Sequence, residues 1–103
     1  GLPLTEEQAK YLVSVLQSKS IKLRVASVNV LRNACVHLPN RTLLMRCEAI
    51  PSLLQFLESA KQEVQHHILM IIAAFLEVNA ASIKAAQVVH LFGFCVEKPI
   101  DVV

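Results

Sequence analysis

The chain has 103 residues, 54% of them apolar, and a formal net charge of +2. That length holds one domain or part of one, and so small a charge offers no concentrated basic face for nucleic acid. With 2 glycines, no tryptophan and only 5% aromatic residues, strands and tight hairpins are starved of their usual materials, so an all-α fold is expected. Mean hydropathy is high at +0.51. Even so, the longest unbroken apolar run, Ile68 to Leu76, falls well short of the roughly 20 residues a bilayer span needs. No basic region followed by an apolar stretch marks a secretory leader. The three cysteines, Cys35, Cys47 and Cys95, have no paired spacing and suit a reducing compartment, cytosol or nucleus.

In chain order, Thr5 reads as an N-cap with Glu6, Glu7 and Gln8 in the first turn, opening a helix that runs to about Ser18. Its apolar face is Leu12, Val13, Val15 and Leu16. Ser20 caps a longer helix expected to reach Leu38, where Pro39 stops it. Leu23, Val25, Val28, Val30, Leu31, Ala34, Cys35 and Leu38 cover so much of that helix that packing on two sides is expected. Asn40 begins a short helix to about Cys47. Pro51 sits in the first turn of the next helix, which ends near Ser59. The most hydrophobic helix runs from Gln62 to about Val78. A last one is expected from Ala80 to Val96, ended by Lys98-Pro99.

The chain also repeats itself. Leu53, Leu57 and Ser59 fall 41 residues after Leu12, Leu16 and Ser18. At the same offset Val64 follows Leu23, Leu69 follows Val28, and Ile71-Ile72 follow Val30-Leu31, with no gap. A period of this size lies among helical repeats that stack into solenoids. The residues are more specific: Asn40-Arg41-Thr42-Leu43-Leu44, then Glu48-Ala49-Ile50-Pro51-Ser52-Leu53-Leu54, then Glu63-Val64-Gln65. This series resembles the armadillo-repeat family, whose units carry an Asn, a Gly-Ala-Ile-Pro turn, a leucine-rich second helix and a third helix opening near Glu-Val-Gln. The likeness covers one full unit, roughly 40–79, and the last two helices of another, roughly 4–38. Residues 80–97 are a partial third unit or a cap. The fold it implies is a right-handed α-solenoid of about two and a half armadillo-like units with six helices in one domain. Glu48 stands where the family has Gly, so the turn there is expected to be reshaped.

No catalytic motif emerges. His66 and His67 are adjacent and point apart, whereas metal pairs on a helix want three- or four-residue spacing. Cys35 and His37 lie on different faces of one helix, and a nucleophile needs an activating base and an orienter that the sequence does not supply. Glu6-Glu7 are explained by their place in a first helical turn. No glycine-rich phosphate loop exists, so neither an enzyme nor a cofactor is expected. Lys19, Lys22, Arg24 and Arg32, joined by Arg41 and Arg46, are the one basic concentration and read as a solvated helix face.

The resemblance implies instead that third helices line a groove that grips an extended peptide, with an Asn bonding the peptide main chain. The corresponding positions are Asn29 and Asn33 in the first unit and Met70 and Ala74 in the second, flanked by Arg32 and Glu77. Only Asn33 keeps the family's groove residue. Binding of basic nuclear-localisation peptides is therefore not expected, and an apolar or acidic segment suits Arg32 and Met70 better. The expected function is a non-enzymatic protein–protein interaction module of a larger intracellular scaffold or adaptor. Its alternatives are a structural or oligomerisation segment of a longer helical-repeat protein, and a nucleic-acid-binding helical repeat.

Overall fold

A computed structural model describes residues 3–78, which form five α-helices and no strand: α1 (Glu6–Val15), α2 (Ile21–Ala34), α3 (Leu38–Arg46), α4 (Ala49–Ser59) and α5 (Gln62–Val78). The expected helix over Ala80 to Val96, the break at Asn79, the third unit and Cys95 lie outside the described residues.

Local chemistry sets most of these boundaries. Thr5 and Gln8 form a capping box: the Gln8 amide donates to the Thr5 hydroxyl at 3.1 Å, and the Thr5 amide donates to Gln8 Oε1 at 2.9 Å. Ser20 caps α2 by accepting the Leu23 amide at 3.3 Å. The helices α2 and α5 begin 41 residues apart, at the offset the repeat requires.

Three expectations are corrected. The second helix does not run to Leu38, because α2 ends at Ala34, and Pro39 lies in the first turn of α3. Proline lacks an amide that such a turn leaves unbonded anyway, so it starts one helix here and does not stop another. Asn40 is consequently inside α3 and is buried, not its first residue. Its Oδ1 accepts the Leu4 amide at 2.7 Å and its Nδ2 donates to the Ala34 carbonyl at 3.0 Å. One side chain thus ties the entry of α1, the exit of α2 and the start of α3. Finally, the turn at Glu48 is not reshaped: Glu48 itself takes the left-handed conformation, φ 62°, ψ 41°. It is the residue after the C-cap of α3, where that conformation returns the chain into α4.

The core is one cluster to which every helix contributes: Ala9 and Leu16 from α1, Val28 and Leu31 from α2, Leu44 from α3, Leu53 and Leu57 from α4, Ile68 and Phe75 from α5. Helix α5 packs against α2, α3 and α4, and α1 packs against α2 and α3. The Ser27 hydroxyl donates to the Leu12 carbonyl at 2.7 Å, which pins α2 to α1 at a buried point. Among the described residues α2 is buried over part of its circumference. Val28, Leu31, Ala34 and Cys35 are covered, whereas Leu23 and Val30, with Val36 and Leu38 beyond its end, are exposed. Helix α2 thus packs against two neighbours, α1 and α5, and Leu23 and Val30 mark the part of its surface that neither covers. No described helix is long and apolar enough to cross a membrane.

Candidate interaction surface on helices α2 and α5

Residues three, four or seven apart share one face of a helix. On α2 this groups Asn29, Arg32 and Asn33, all exposed. On α5 it groups Met70, Ala74 and Glu77; Met70 and Glu77 are exposed, while Ala74 is half-buried against the core. Since α2 and α5 pack together in a common register, Met70 and Ala74 occupy the places in α5 that Asn29 and Asn33 occupy in α2.

The two rows are joined by Arg32, whose Nη1 lies 2.9 Å from Nδ1 of His67. Arginine carries donors only, so in this bond the guanidinium donates and Nδ1 accepts. His67 stands one turn before Met70, so the pair bridges α2 to the start of the α5 row. At the other end of the junction Arg41 donates through Nε to the Cys35 carbonyl, and its Nη1 lies 3.4 Å from Glu77 Oε2. The carboxylate that the sequence offers to a ligand is thus already held by Arg41. Glu77 is largely exposed, so this ion pair contributes under about 1 kcal/mol and is readily exchanged. The Asn29 and Asn33 side chains make no hydrogen bond among the described residues, leaving two amides with donors and acceptors facing solvent.

Among the described residues the other candidates stay apart. The Cys35 thiol is buried, and that burial pushes its pKa up to about 11 against a partly offsetting pull from the Arg41 charge. It is protonated at neutral pH and hence a poor nucleophile. Rings of His66 and His67 are 6.1 Å apart and tilted by 57°, and no group of three or more His, Cys, Asp or Glu side chains among the described residues could hold a metal ion.

The basic set is dispersed as well. The Arg24 guanidinium stacks over the Phe56 ring at 4.7 Å, Arg32 meets His67, and Arg41 is tied to Cys35 and Glu77. Lys19, Lys22 and Arg46 are left exposed. Arg24 and Phe56 line an open hollow of about 330 Å³ between the α1–α2 turn and α4. Within it, Arg24 Nε is buried without a hydrogen-bond partner among the described residues and faces the aromatic ring, where a cation–π contact takes the place of a hydrogen bond.

Sequence reasoning missed three of these participants. His67 was set aside as a failed metal ligand, and its partner is one helix away. Arg41 read as part of a basic face, and Arg24 likewise. Neither arginine has an acid within one helical turn of it in the sequence, so nothing linear signals the carbonyl or ring it meets on folding. Comparison with protein-family models, with curated proteins and with solved structures finds no match to this chain.

Proposed function

We propose that this chain is a non-enzymatic interaction module of the armadillo-like kind, part of a larger intracellular scaffold or adaptor. It binds a partner peptide or helix along the exposed surface of α2 and α5. The observation that supports this reading is the shared register of the two rows. Asn29 and Asn33 stand exposed on one helix and Met70 and Ala74 in the equivalent places on its neighbour, with Arg32 bridging the junction through His67. Such a surface can do two things at once. The free amides of Asn29 and Asn33 can bond the main chain of an extended peptide, which recognises it without reading its side chains. Met70 supplies an adaptable apolar contact, and Arg32, its charge unopposed by a carboxylate among the described residues, favours an acidic or apolar segment over a basic one.

The test is selection of peptides from a displayed random library on the 103-residue protein, followed by titration of the best of them. The variant Arg32→Glu/Asn33→Ala is expected to weaken binding by about tenfold or more, the cost of losing one charged and one neutral hydrogen bond. Both residues are exposed, so the melting temperature should move little. Peptides that bind the variant as tightly as the wild type would remove this surface from the proposal.

A further inference from the structure

The internal repeat allows a comparison of burial that points to a second surface, independent of the peptide-binding reading. Each position of the first unit has an equivalent 41 residues on, and the two should be equally covered if both units had the same neighbours. They are not. Leu23 is 53% exposed where Val64 is 7%, and Val30 is 47% exposed where Ile71 is 1%. Tyr11 is exposed where Ser52 is buried, and Val15 is half-buried where Phe56 is buried. In the second unit this edge is covered by the first unit: α2 packs on α5, Arg24 lies over Phe56, and Gln17 Nε2 donates to the Ser52 hydroxyl at 2.9 Å.

At the opposite edge the inequality reverses. Cys35 is 4% exposed where its equivalent Leu76 is 37%, and Val28 is fully buried where Leu69 is half-buried. Among the described residues, the first unit therefore has a bare edge of the type that the second unit has covered, and the second has a partly bare edge of the type that the first has covered. A shift by one unit brings the two edges together.

We propose that a second copy of this chain docks head-to-tail, its Leu23 and Val30 edge seated against Leu69 and Leu76 of the first copy. The contact between copies repeats the α2–α5 contact within one copy: Leu69 and Leu76 do what Val28 and Cys35 do, and Leu23 and Val30 do what Val64 and Ile71 do. The register of the repeat selects this occupant, because the molecule already displays what fits such an edge. The interface joins two different surfaces, so it is heterologous and each added copy presents a fresh edge.

Light scattering on the eluting 103-residue protein, over a range of loading concentrations, tests this. Wild-type mass should rise above 11.4 kDa with concentration and pass beyond two copies. Leu23→Asp/Val30→Asp and, separately, Leu76→Asp should each stay at monomer mass, with thermal melts like that of the wild type. Mixed together they should form a two-chain species, since one variant keeps an intact second edge and the other an intact first edge. Should Leu76→Asp fail to fold, adding Leu23→Asp/Val30→Asp to the wild type gives the same information, because it caps growing stacks and lowers their mass. Arg32→Glu/Asn33→Ala should associate like the wild type, which separates this surface from the peptide-binding one. A wild type that stays at 11.4 kDa throughout, or variants that associate unchanged, would overturn the proposal, and so would a mixture in which folded variants do not pair.

Discussion

Two residues carry more of the architecture than their types suggest. Glu48 holds φ at 62° without being glycine, a conformation that costs a side-chain-bearing residue of order 1–3 kcal/mol. Nothing in its own side chain offsets that, since it makes no capping hydrogen bond to α4. Glu48→Gly should therefore raise stability by about 1 kcal/mol, after the greater chain entropy of glycine is subtracted. A thermal melt reads this as a higher midpoint, and a lower one would mean that the Glu48 side chain is needed where it stands. Asn40 is the converse, a polar side chain whose burial is fully used. Asn40→Ala would take away the acceptor of the Leu4 amide and leave the Ala34 carbonyl with the His37 amide alone, at a cost of about 1–2 kcal/mol. Denaturant unfolding checks it. A loss within a few tenths of a kcal/mol would show that water replaces the amide at no penalty.

At the level of the helix, what could be read from the sequence was what is local. Thr5 and Ser20 announce α1 and α2 because a cap is a bond between residues three apart. The Gln62–Val78 helix is legible for a different reason, the unbroken apolar run from Ile68 to Leu76 that it contains. Pro39 was misread because proline is compatible with stopping one helix or starting another, and the deciding fact lies elsewhere. The end of α2 is held by Asn40, whose amide bonds the Ala34 carbonyl, and that bond exists only once α3 has turned back. Pro39→Ala should accordingly leave α2 ending at Ala34 and change stability by less than about 1 kcal/mol. Backbone chemical shifts would reveal the contrary, an unbroken helical run across 34–38. Leu23 and Val30 were equally beyond reach: apolar residues on a helix read as core, and only the arrangement of neighbours tells which side is left bare.

For the molecule as a whole, the 41-residue offset explains more than any single motif. It aligns the starts of α2 and α5, gives Met70 and Ala74 the places on α5 that Asn29 and Asn33 hold on α2, and brings out the unequal burial of equivalent apolar residues. The candidate surface was only partly legible. Its six residues came from a family likeness, and the contacts that join its two rows, Arg32 with His67 and Arg41 with Glu77, span 35 and 36 residues of chain. In this account the two surfaces are separate: a polar face on α2 and α5 for a peptide, and apolar edges for a second copy of this chain.

The most direct test of the peptide-binding claim is to follow backbone amide resonances while a library-selected peptide is added. The account predicts that Asn29, Arg32, Asn33, Met70 and Ala74 shift together while α1 and α4 stay still, and that Arg32→Glu/Asn33→Ala abolishes the response. Shifts confined to α1 and α4, or to the exposed edge at Leu23 and Val30, would contradict it.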